Sequence, residues 1–104
     1  MRETGGAYVK VHRVGGDVML AACDEELRGK RFEEGTLRIE VSKTFYGGFR
    51  AELDELVEYM RQATIMNLVG KRVVSAAVEA GYVHPEAVIK IAGVPHAQVV
   101  SVRW

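Results

Sequence analysis

Cysteine, proline and side-chain amides are scarce in this chain, and neither sign of charge is in excess. A single cysteine, Cys23, excludes an internal disulfide and cannot by itself build a thiolate zinc site. The two prolines, Pro85 and Pro95, punctuate only the C-terminal third. One asparagine (Asn67) and two glutamines (Gln62, Gln98), beside plentiful Val, Glu and Arg, fit a heat-adapted source. Fourteen basic residues balance fourteen acidic ones, giving a formal net charge of +0. A dedicated duplex binder carries a basic excess, so no DNA duplex is expected as partner. No apolar run is long enough for a membrane span, and no signal peptide is readable, so the expected compartment is the cytoplasm. Dinucleotide, Walker A, HExxH and paired CxxC motifs are all missing, and neither cofactor nor metal is expected.

What is present suits one α+β domain over residues 1–104, with 48% hydrophobic and 27% charged residues. Ala7 to Val14 alternates, Val9 and Val11 to one side, Tyr8, Lys10 and His12 to the other. Gly15-Gly16 then leads into a second apolar run from Asp17 to Cys23, which reads as a β-hairpin. Asp24 is placed to cap a short helical turn through Glu25, Glu26 and Leu27. Glu34-Gly35 marks a turn, and Thr36 to Val41 alternates as a third strand. Leu53, Leu56, Val57 and Met60 follow helical spacing. A second helix is predicted from about Thr64 or Asn67 to Ala80, with Gly81 at its left-handed C′ position. Ala87 to Ile91 and Gln98 to Trp104 read as two last strands. The order β-β-β-α-α-β-β predicts an antiparallel or mixed sheet with two helices packed on one face.

Chemistry-bearing side chains concentrate in a few places. Gly93-Val94-Pro95-His96-Ala97-Gln98 reads as a loop entering a strand, and loops on rigid scaffolds carry function disproportionately. Tyr46-Gly47-Gly48 resembles a phosphate cradle, but Glu52, Asp54 and Glu55 follow it and repel an anion. The start of the second predicted helix is the opposite case. Thr64 to Val78 contains no carboxylate, and Lys71 and Arg72 stand beside Asn67, which makes that end receptive to an anion or makes Asn67 a simple cap. Cys23 with His96 as base and Asn67 or Asp24 as orienter would form a nucleophile constellation, although a lone Cys beside three carboxylates is more often a small core residue.

Several of these stretches together resemble a known family. They are Tyr8 to Arg13, Ala22-Cys23-Asp24, Phe45-Tyr46-Gly47-Gly48, Asn67-Leu68-Val69-Gly70 and Gly93 to Val99. The pattern is similar to a small archaeal family catalogued as domain of unknown function 424, over nearly the whole chain. The resemblance implies an archaeal, cytoplasmic origin and marks Cys23, Asp24, Tyr46, Gly47, Gly48, Asn67, Gly70, Pro95, His96 and Gln98 as its positions. It implies no activity.

The leading expectation is a non-catalytic binding module for RNA or a ribonucleoprotein assembly in archaeal translation. Its candidate ligand-binding residues are Asn67, Lys71, Arg72, His96, Gln98, Tyr46, Gly47 and Gly48, supported by basic residues such as Lys10 and Arg13. Aromatics Tyr8, Phe45 and Tyr46 suit stacking on unpaired bases. The alternative is a small enzyme in which His96 is general acid or base on a phosphorylated or acyl substrate, with Asn67 and Cys23 as further candidates. A third is a protein-interaction domain whose motifs are structural.

Overall fold

A computed structural model describes residues 5–100. The predicted first hairpin is there: β1 (Gly6–Val14) and β2 (Asp17–Asp24) pair antiparallel across Gly15-Gly16. Gly15 has φ +58° while Gly16 stays out of the positive region, the requirement of a type II′ turn. A 3₁₀ turn (Glu25–Leu27) leads to a small separate hairpin, β3 (Arg31–Glu34) with β4 (Leu37–Glu40). Helix α1 (Lys43–Tyr46), strand β5 (Phe49–Glu52) and helix α2 (Leu53–Gln62) follow. Then come β6 (Ile65–Val69), α3 (Lys71–Glu79), a 3₁₀ turn (Pro85–Ala87), β7 (Ile89–Ile91) and β8 (Val94–Val100). Six strands form one mixed sheet in the order β5-β1-β2-β6-β8-β7, in which only β2 and β6 run parallel.

The sheet is covered on both faces, unequally. On one, α2 and α3 bury Leu56, Met60, Val73, Val74 and Ala77 against Val9, Leu20, Met66, Leu68 and Ala97. Each large side chain removed from water there contributes about 1.5–3 kcal/mol. On the other, α1 and the β3–β4 hairpin form a cap whose Val41 and Tyr46 bury Ala21, Cys23 and Val69. Because β2 and β6 alternate between the two cores, they carry almost no polar side chain over Leu20–Cys23 and Leu68–Val69.

Three expectations are corrected. The helix placed from Thr64 or Asn67 begins only at Lys71, and Ile65–Val69 is a central strand. A strand buried on both faces is a continuous apolar run, which periodicity does not separate from a buried helix. The stretch Gly93–Gln98 is not a loop: Ala92 (φ +52°) and Gly93 (φ +81°) make the whole turn, and β8 starts at Val94, so His96 and Gln98 are strand residues. Trp104 lies outside the described residues. Third, Asp24 makes no side-chain cap to the turn that follows it. The helix end fares as read: Gly81 (φ +86°) sits at C′, with Tyr82 N–H donating to Ala77 O and Gly81 N–H to Val78 O, a Schellman closure.

Candidate binding face

Register assembles the polar residues in rows across the sheet. Lys10 stands opposite Ala21, Ala21 opposite Asn67, and Asn67 opposite Gln98, all on the cap side. The cap reaches only the upper part of this side. Below it Met19, Ile65, Asn67, Gln98 and Val100 form a strip that is partly or fully exposed. Within the strip Gln98 Nε2 donates to Asn67 Oδ1 at 2.9 Å, and Asn67 Nδ2 lies 3.4 Å from Met19 Sδ. Gln98 is exposed. Sequence reading found both amides but not their pairing, because it placed Asn67 in a helix.

At the β1 border of this side, His12 stacks on Phe45 with ring centroids 4.8 Å apart, and its Nε2 lies 3.0 Å from Phe45 O. Lys10 Nζ donates to Thr44 O at 2.8 Å. Arg28 lies over the Tyr8 ring, 3.8 Å from the centroid, a cation–π contact. Lys10 shares the row of the amide pair and His12 the row of Met19, whereas Tyr8 lies in the capped row of Cys23 and Val69.

The remaining candidates are elsewhere. His96, Val69 and Cys23 share a row, so two strand spacings of about 4.8 Å separate His96 from Cys23, too far for a nucleophile–base pair. His96 Nδ1 is 2.9 Å from Leu68 O. Burial pushes the Cys23 thiol up to about 12, helped by the Asp24 charge and opposed by a backbone hydrogen bond from Tyr8. Tyr46 is also buried, which raises its phenol to about 12. Gly47 and Gly48 are there because backbone comes close: a Cβ would sit 1.9 Å from Lys43 O at the first and 2.3 Å from Val9 O at the second. They form no open cradle.

The anion-receptive helix end exists at Gly70–Lys71, and the chain supplies its own anion. Asp24, 2% exposed at the end of β2, accepts from Arg72 N–H (3.1 Å) and Val73 N–H (2.9 Å). Desolvation raises the Asp24 pKa, and those two bonds and the Arg72 charge oppose the rise. Arg72 is clamped in turn, donating through Nη1 (2.9 Å) and Nη2 to the Glu26 carboxylate. The pairing holds Glu26 below the usual carboxylate range. Sequence reading singles out Asp24 but misses this role at the start of α3, since its partners lie 48 and 49 positions away.

Among the described residues no group of three or more His, Cys, Asp or Glu is placed to hold a metal ion, and no helix is long and apolar enough to cross a membrane. No curated protein matches the chain. Among solved structures, an uncharacterized conserved protein from Methanopyrus kandleri is similar over 96% of both chains, with a TM-score of 0.81 and 26% identity. The family model described as Protein of unknown function (DUF424) matches residues 12–102, a span that holds the amide pair, the Asp24 clamp and the whole cap, and the chain belongs to that family.

Proposed function

We propose that the chain is a non-catalytic binding module that takes single-stranded RNA on the uncovered strip of its sheet. The observation that carries this reading is the Asn67–Gln98 amide pair displayed on a flat, partly apolar face between β6 and β8. Side-chain amides offer the donor and acceptor set that reads base edges, and flat faces with aromatic borders suit unstacked bases. The His12–Phe45 stack at the β1 edge supplies that border, with Lys10 in the row of the amide pair. The setting we propose is an archaeal ribonucleoprotein of the translation apparatus, in the cytoplasm; the likeness to the Methanopyrus protein supports the archaeal part.

The alternative, an enzyme built on His96, draws less support. Its would-be partner Cys23 is fully buried with a raised pKa, and Asn67 is engaged with Gln98 and Met19 on an open face rather than in a cleft.

Fluorescence anisotropy with a labelled single-stranded RNA, and the matching duplex as control, tests the proposal. With formal net charge +0, few phosphate contacts are available. Two or three contacts give a fall in affinity of about tenfold between roughly 50 and 200 mM salt. Replacing both Asn67 and Gln98 by Ala should weaken single-strand binding by about tenfold. No binding, or binding indifferent to the double substitution, would reject it. A pull-down from archaeal lysate with and without nuclease tests the setting: ribosomal RNA or translation factors lost on nuclease treatment is the expected result.

A further inference from the structure

The side of β1 turned away from β2 is only half paired. Gly15-Gly16 is a two-residue connection, so the flanking Val14 and Asp17 form the first hydrogen-bonded pair of the hairpin. Alternation then aims the backbone of Val14, His12 and Lys10 at β2, and that of Arg13, Val11 and Val9 outward. Val9 is met by Phe49, the first residue of β5. There β5 stops, because Gly47 and Gly48 carry the chain across to α1 on the cap side. The N–H and C=O groups of Val11 and Arg13 consequently have no hydrogen-bond partner among the described residues. Two donors and two acceptors lie in line with β5, a strand position left open.

The helix side of the same edge is concave. A groove of about 410 Å³ is lined by Val11, Arg13, Val18, Leu20, Tyr59 and Gln62. Val11 and Arg13 thus present side chains to the groove and backbone to the edge, the combination by which an added strand gains both affinity and side-chain selectivity. Charge selects the occupant. Lys10 flanks the edge on the cap side, Arg13 stands on the other, and Arg13 has no ion pair among the described residues. A second copy paired through this edge would set these cations against their own like, which is unfavourable. An acidic segment meets them with opposite charge.

We propose that this edge accepts an extended, acidic segment of a partner protein as an added strand beside Val11–Arg13, in continuation of β5, with an apolar side chain in the groove against Tyr59 and a carboxylate against Arg13. It uses neither Asn67 nor Gln98, so it stands or falls apart from the RNA reading.

The probe is a short synthetic peptide alternating glutamate with valine, blocked at both ends, added to the full chain. Two controls accompany it, one with lysine for glutamate and one N-methylated on alternate amides. Amide exchange and chemical shifts are read by NMR. Binding of the glutamate peptide should slow exchange at the Val11 and Arg13 amides, and the N-methylated peptide on the pairing register should lose the effect. The exposed substitution Arg13→Glu should weaken the glutamate peptide by about tenfold and improve the lysine peptide, as expected for one reversed charge pair. Equal binding of all three peptides, protection confined to other strands, or no protection at millimolar peptide would overturn the proposal. So would a concentration-dependent dimer that buries the same two amides, since the edge would then belong to a second copy.

Discussion

Asp24 is buried with an ionisable carboxyl, so its desolvation cost has to be offset locally. Two backbone N–H groups at the start of α3 and the Arg72 guanidinium, 3.9 Å from Oδ2, do this. Gly70 makes room for the contact. Its φ of +112° disfavours any side chain, and a Cβ there would sit 2.4 Å from Asp24 Cγ. Replacing Asp24 by Ala leaves two N–H groups and a partly buried cation short of a partner, at a cost of about 2–4 kcal/mol. Gly70→Ala should cost about 2 kcal/mol or more, through strain and the clash together. In the double variant the contacts with Cγ and Oδ1 are gone, but one of 2.8 Å with the Cβ of residue 24 stays beside the strain, so the two costs should fall short of additivity by about 1 kcal/mol or less. Urea unfolding of the four proteins reads this directly, and strict additivity would show that Gly70 answers to its backbone angle and that Cβ contact alone. None of this was legible from sequence, where Asp24 looked like the cap of the nearest turn. A cap that acts across the sheet leaves no local spacing to find.

Elements whose signals are local were legible, and those fixed by tertiary contact were not. The β1–β2 hairpin, α2 and the close of α3 carry their own punctuation in Gly15-Gly16, the 3.6-residue spacing from Leu53 to Met60, and Gly81. By contrast β3, α1 and β5 are four residues each, too short to show a period, and β6 hides its identity under burial on both faces. The candidate face suffered with β6, since the Asn67–Gln98 pairing follows from register between distant strands. The small β3–β4 hairpin invites a test of its own. A lone two-stranded hairpin is marginal, and this one is held by Phe32 and Ile39 packing, by backbone bonds of Gly29 and Val41, and by Glu34 accepting from Ala92 N–H at 2.7 Å. Amides of β3 and β4 should exchange faster than those of β2 and β6. Glu34→Ala should speed them further, by the loss of about 0.5–1.5 kcal/mol, while central strands keep their protection. Equal rates in hairpin and centre would show that the cap opens only with the whole fold.

The two cores meet in shared strands, and alkaline titration asks whether they also fail together. Cys23 and Tyr46 sit in the smaller core, under the cap. Each has a folded pKa of about 12, raised by burial from ordinary values of 9.0 and 10.0. A folded pKa above the unfolded one means that the neutral group favours the fold. That contribution is complete below pH 9 for the thiol and below pH 10 for the phenol, and it drains away as pH rises toward 12. The melting temperature should therefore fall steeply across this window. Cys23→Ala and Tyr46→Phe should each flatten the slope, whatever they do to stability at neutral pH, because each deletes one proton from the linkage. Alternation in β2 and β6 puts Cys23 and Val69 on the cap core while their neighbours Ala22 and Leu68 belong to the helix core. An ionised thiol that dislodges its strand disturbs both layers at once. Helix loss by far-UV circular dichroism and Tyr46 exposure by phenolate absorbance, taken against Tyr46→Phe, should accordingly share one midpoint in pH. An earlier phenolate transition would mean that the cap peels from an intact sheet and that the two cores are separate cooperative units.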